Sequence, residues 1–353
     1  MRLALAACVM LTLAACVNTR VPQMAPPSAA ATQHPIHVAT LQIPDPTASF
    51  FGADRVDTAS FGRVTIGVPP SHMAGQIEWP PLNGAADPDR HFTVSSVERF
   101  DSRAAMIADI GRSEETLVYV HGFNTNAAEA VHQLAQIRHD FEIDGPTLSY
   151  VWPSAGDVRG YLYDRDSVLF ARSDLEQTLD ALTDRGGDVI LVAHSLGSLL
   201  VMETLRQLAL SGDRATLSRI AGVILVAPDL DPEVFKRQAE EIGTLPDPFV
   251  IFATQEDRVL RLSSLIYGRS SRLGSIRSSE DIDDLPVTVI DVSDFANGQS
   301  GNHLVALTSP ALIQLLSNGR SGEDPLAFEK LASYILTEPR RAQRIAGLSP
   351  TGE

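Results

Sequence analysis

Residues 189–200 read VILVAHSLGSLL. An apolar run of strand character stops at His194 and Ser195, passes Gly197, and becomes apolar again with helical spacing in LGSLLVMETLRQLAL. A strand that turns sharply into a helix needs small residues on both sides of the turning residue, and Ala193 and Gly197 meet that need. Such a turn lifts the Ser195 hydroxyl out of the sheet and sets it over a helix N-terminus, where developing negative charge is favoured. The pattern is G-x-S-x-G with Ala193 at the first glycine position. Ser195 is therefore a candidate nucleophile, its alternative being a helix N-cap after a buried strand. His194 is next to it, but adjacent residues on a tight turn point apart. His194 reads as packing beside the turn, and the base has to come from elsewhere.

Outward from this stretch the chain alternates. TLVYVHGF, PTLSYVWP, DVILVAHS, IAGVILVAPDL, PFVIFATQED and LPVTVIDVSD read as strands. AAEAVHQLAQIRHDF, SDLEQTLDALTDRG (with Ser173 as N-cap), DPEVFKRQAEEIG and SPALIQLLSNG read as helices. Strands that are apolar throughout and separated by helices predict a mostly parallel central sheet with helices on both faces. Upstream, RVTIGVP and HFTVSSVERF are strand candidates around the loop PPLNGAADPD. The segment WPSAGDVRGYLYDRD reads as a loop after a strand end, where Trp152, Tyr161 and Tyr163 either line an acyl pocket or merely cover the sheet.

The N-terminus MRLALAACVMLTLAAC carries Arg2, an apolar run and then Ala14-Ala15-Cys16, the pattern of a secretory leader rather than a spanning helix. LAAC at Leu13–Cys16 resembles a bacterial lipoprotein signal, which implies lipidation of Cys16, for example with palmitate, and a place in the bacterial cell envelope, anchored to a membrane on its periplasmic side. The division that follows is a signal peptide over 1–15, a flexible Pro/Ala/Thr-rich tether over 16–48, a folded domain over 49–337 and a polar tail over 338–353. Cys8 and Cys16 are the two cysteines, so cleavage before Cys16 leaves one, already acylated, and excludes a disulfide, a thiolate metal site or a cysteine nucleophile. A formal charge of −16 without a basic cluster argues against a nucleic-acid partner.

Downstream of Ser195 the chain has a single histidine, His303, in the Gly-rich segment GQSGNHLVAL after the last strand. Its alternative role is to cap the following helix. Acids at strand ends are Asp257 in FATQEDRV and Asp229 in APDLD.

Together VYVHGFNTN, WPSAGDVRGYLYDRD, LVAHSLGS, LVAPDLDPEVF, EDRVLRLS, RLGSI and GNHLVAL resemble the α/β-hydrolase superfamily, and within it a poorly characterised bacterial esterase/lipase-like group. The likeness spans roughly residues 50–320 and departs from the pattern at Ala193. It implies a serine hydrolase, a carboxylesterase or acyl hydrolase, with no cofactor and no metal. In that fold the triad order is serine, acid, histidine. Ser195 would attack, His303 would be the base, and Asp257 would orient it, with Asp229, Asp231 and Glu256 as alternatives. The backbone amides of Phe123 and Leu196 would bind the oxyanion, His121 bracing their loop. The substrate would be an acyl-ester small molecule or a lipid. The competing reading is a non-catalytic envelope lipoprotein that keeps the fold as a binding scaffold.

Overall fold

The computed structural model describes residues 22–45, 50–113, 115–260, 272–276, 282, 284–296 and 302–318. The strands are β1 (Thr32–Asp45), β2 (Phe50–Val68), β3 (Thr93–Phe100), β4 (Glu115–Val120), β5 (Thr147–Val151), β6 (Asp188–His194), β7 (Ile220–Val226), β8 (Phe249–Ala253) and β9 (Thr288–Asp291). The helices are α1 (Arg103–Ile110), α2 (Ala127–Asp140), α3 (Tyr161–Thr183), α4 (Gly197–Ser211), α5 (Arg214–Leu217), α6 (Pro232–Ile242), α7 (Val305–Thr308) and α8 (Pro310–Asn318).

One sheet holds the strands in the order β3-β2-β1-β5-β4-β6-β7-β8-β9. From β1 through β9 every neighbouring pair is parallel, and the β1–β2 and β2–β3 pairs are antiparallel. Side chains alternate between two cores, as the period of a strand requires. In β6, Val189, Leu191 and Ala193 enter the core under α1, α3, α4 and α6, while Ile190 and Val192 enter the core under α2, α7 and α8. In β4, Val118 and Val120 point to the first core and Leu117 and Tyr119 to the second. A sheet covered on both faces explains why these strands are apolar at every position.

Two sequence readings are corrected. The tether expected over 16–48 does not extend that far, because residues 32–45 form β1, paired with both β2 and β5. The alternation was concealed by the Pro, Thr and His content. Ile36, Val38 and Thr40 are buried on one side of β1, and His37, Ala39 and Leu41 on the other. Even residues 23–25 are joined to β3, by Val94 N–H to Gln23 O and Ala25 N–H to Val94 O, both 3.0 Å. Likewise the helix expected to start at Ser173 starts at Tyr161, so that the last six residues of the segment read as a loop are helical. The signal peptide over 1–15, Cys16, and the tail over 338–353 lie outside the described residues. Among the described residues no helix is long and apolar enough to cross a membrane.

The loop after β2 is tied to the end of α2 by His72, whose Nε2 meets Asp140 at 2.8 Å and Nδ1 meets Glu78 at 2.9 Å. Burial pulls the imidazole down, but the hydrogen bonds to Asp140 and Glu78 outweigh it and lift His72 from 6.5 to about 9. A folded-state value above the unfolded one stabilises fully below 6.5 and is lost as pH rises through about 9. Urea unfolding should therefore show stability falling between pH 7 and 9. His72→Gln should cost about 3 kcal/mol at pH 6.5 and flatten that slope. An unchanged slope in the variant would assign the pH dependence to other groups.

Candidate active site

At the end of β6 the chain reverses within one residue. Ser195 has φ 51°, in the left-handed region that a residue with a Cβ rarely occupies. Its N–H still bonds Val226 O at 2.9 Å, continuing the β6–β7 ladder. Its carbonyl already accepts Ser198 N–H at 3.1 Å, in the first turn of α4. Gly197 is required by the neighbouring strand: a Cβ there would lie 2.4 Å from His121 O and 2.6 Å from Val120 O. The end of β4 thus presses directly on the start of α4.

The loop after β4 lies against the turn just as closely. A Cβ on Gly122 would meet His194 Nδ1 at 2.5 Å and Ser195 Cβ at 3.0 Å. The amides of Phe123 and Leu196, flanking this contact, donate to no protein acceptor among the described residues. Two free N–H groups beside a serine are what an oxyanion needs. His121 is fully buried, stacked on Trp152 with ring centroids 4.6 Å apart. Trp152 Nε1 donates to His121 O at 2.8 Å, and burial lowers the His121 imidazole to about 4. A ring that stays neutral and boxed in by carbonyls braces the loop.

His303 sits between the end of β9 and α7. Its Nδ1 donates to Asp257 Oδ2 at 2.6 Å. The other oxygen, Oδ1, accepts the N–H groups of Val259 and Leu260, both at 2.9 Å, so the carboxylate is fixed from two sides. Asp257 is completely buried. With its proton committed to Asp257, His303 keeps Nε2 as its basic nitrogen. The His303 ring packs edge-on against His194, centroids 4.7 Å apart, and so lies beside the residue that precedes Ser195. Burial, with His303 and His121 adding to it, drives the His194 imidazole well below its usual range, which keeps that ring uncharged.

The alternative acids are engaged elsewhere. Asp229 Oδ2 accepts the Tyr161 hydroxyl at 2.6 Å, and Oδ1 lies 3.1 Å from Arg272 Nε in a buried ion pair. Asp231 caps α6, its Oδ1 accepting Glu233 N–H and Val234 N–H. Glu256 is exposed. Of the three candidate pocket aromatics, Trp152 is buried beneath the loop after β4. Tyr163 turns outward, its hydroxyl donating to Ala53 O. Tyr161 meets the Phe123 ring edge-on at 5.1 Å. Residues that the sequence reading passed over are Ser154 and Asp164. Asp164 is buried and accepts Ser154 Oγ–H, Ala155 N–H and Asn124 N–H. Its aspartate-in-a-loop appearance concealed it; in a helix beginning at Tyr161 it falls one turn in, facing the same side as Tyr161. Among the described residues no cluster of three or more His, Cys, Asp or Glu is placed to hold a metal ion.

Strand order, the left-handed serine after β6, and acid and histidine after β8 and β9 define the α/β-hydrolase class. The chain belongs to the family of alpha/beta hydrolases of unknown function DUF900, whose model matches residues 99–320. Solved structures similar to it include esterase Est22, at 13% identity over 91% of this chain and 88% of that one, TM-score 0.37. A fungal esterase from Rhizomucor miehei is 12% identical over 92% and 89%, TM-score 0.36. Thermogutta terrifontis esterase 2 is 12% identical over 88% and 93%, TM-score 0.36. No curated protein matches the chain.

Proposed function

We propose that the protein is a serine esterase or acyl hydrolase. Ser195 Oγ attacks the acyl carbonyl carbon, and His303 Nε2 takes the hydroxyl proton and delivers it to the departing alcohol. Asp257 holds the imidazole tautomer and stabilises the imidazolium. The amides of Phe123 and Leu196 receive the negative charge of the tetrahedral intermediate. Water then repeats the sequence on the acyl-enzyme, releasing the acid and restoring Ser195. The substrate is an acyl-ester small molecule or a lipid. The observation that carries the reading is the 2.6 Å bond from His303 Nδ1 to Asp257, made at the same end of the sheet as the strained serine. A scaffold without catalysis would have no need of that bond or of the strain. The leader that stops before Cys16 supports a lipid anchor that holds the domain at a membrane of the cell envelope, with five residues between Cys16 and the first described residue, Pro22.

One experiment tests both parts. The full chain, expressed in a bacterial host with lipoprotein processing, is treated with a fluorophosphonate probe and separated into membrane and soluble fractions. We expect a single adduct, mapped by peptide mass spectrometry to Ser195, in the membrane fraction, with Cys16→Ser moving it to the soluble fraction. Absence of an adduct would overturn the nucleophile. A soluble wild type would overturn the anchor.

A further inference from the structure

The first turn of α3 touches the loop that carries the Phe123 amide at two points. The Tyr161 ring abuts the Phe123 ring. One turn later, the Asp164 carboxylate accepts Asn124 N–H at 3.2 Å, the peptide group immediately after Phe123. The same carboxylate accepts Ser154 Oγ–H and Ala155 N–H, each at 2.7 Å, from the chain that leaves β5. Asn124 itself has φ 54°, in the left-handed region that asparagine adopts more readily than most residues with a side chain. The loop between β5 and α3 is shaped to allow this. Gly160 lies where a Cβ would come 2.5 Å from Ala155 Cβ, and Gly156 has φ 61°.

We propose that Asp164 is a positioning residue for the reaction: it clamps the Phe123–Asn124 peptide so that the Phe123 N–H points at the oxyanion. The inference rests on the esterase reading and adds to it a group that touches neither substrate nor the reacting atoms. Burial raises the Asp164 carboxyl above the usual range, and its bonds to Ala155, Ser154 and Asn124 and the nearby Arg55 charge only partly offset this. Ionising it inside the protein therefore costs stability at neutral pH. A carboxylate kept at such a cost, with three donors aimed at it, suits a site that must be held in one geometry. Misplacing a catalytic group by about 1 Å can cost roughly 100-fold in rate.

Asp164→Asn tests this. Asparagine has one acceptor oxygen and must turn its NH₂ toward at least one of the three donors. Turnover of a short p-nitrophenyl ester should lose about 10- to 100-fold in kcat with KM nearly unchanged. Inhibition by a trifluoromethyl ketone, which forms an oxyanion adduct with the serine, should weaken in parallel with kcat/KM. Ser154→Ala removes one donor from Asp164 and should show the same pattern at smaller size; it decides the matter should the asparagine variant fail to fold. A folded Asp164→Asn with wild-type kcat and ketone affinity would overturn the inference and leave the esterase reading standing. So would a rise in KM alone. A wild type that neither hydrolyses esters nor takes a fluorophosphonate would fail the reading of the site itself, and the inference with it.

Discussion

Replacing Ser195 by alanine is expected to lower kcat for a short acyl ester by roughly 10⁴- to 10⁶-fold, with the far-UV spectrum and the thermal midpoint nearly unchanged. The size follows from what is lost and what stays. Without the hydroxyl no acyl-enzyme forms, and His303 has only water to activate. The Phe123 and Leu196 amides remain, which leaves the residual rate that an oxyanion site gives by itself. Stability is preserved because alanine meets the same backbone demand at φ 51° that serine meets. That demand itself favours a functional reading. Glycine is the inexpensive residue for a left-handed turn, and holding a residue with a Cβ there costs about 1 kcal/mol or more. The chain keeps a serine at a nearly buried turn, wedged between Gly122 and the end of β7. Retention of more than a few per cent of wild-type turnover by a purified alanine variant would exclude Ser195 as the nucleophile.

Most of this arrangement was legible in the residues. The apolar strands of the parallel sheet announce themselves because both their faces are covered, and the small residues around Ser195 are dictated by a backbone contact that tolerates no Cβ at Gly197. His303 was reachable because no other histidine follows Ser195. What escaped reading had a weaker local signal. β1 hides its alternation behind Thr, Pro and His, whose burial is made acceptable by partners far away in sequence. His37, for example, faces Asp109, and Thr40 Oγ donates to Val151 O. The start of α3 was missed because Gly156, Gly160 and three aspartates between 157 and 166 imitate a loop. Asp164 lies in the first turn of α3 with its carboxylate satisfied by Ser154, Ala155 and Asn124, and the last of these is 40 residues away in sequence. The choice between Asp257 and Asp229 was likewise a matter of tertiary contact, since both follow strand ends and both are buried.

That choice yields the second large effect. Asp257→Asn should reduce kcat by about 10⁴-fold with little change in KM, and Asp229→Asn should leave a far more active enzyme that is much less stable. In the first variant the amide has an imposed orientation. The N–H groups of Val259 and Leu260 converge on one oxygen of Asp257, so the asparagine oxygen must occupy that place. Its NH₂ then faces His303 Nδ1, which has to accept rather than donate. The ring proton moves to Nε2, the nitrogen that should receive the proton from Ser195, and the base is lost while the geometry stays. In the second variant Tyr161 keeps a partner oxygen or nitrogen, but Arg272 loses the negative charge that compensates its own within the buried pair. Breaking a buried ion pair from one side costs about 3–5 kcal/mol. Urea unfolding and steady-state ester hydrolysis on the same two preparations separate the cases. Should Asp229→Asn prove inactive while folded, and Asp257→Asn remain active, the carboxylate that serves His303 during turnover is Asp229, and the 2.6 Å bond to Asp257 is structural.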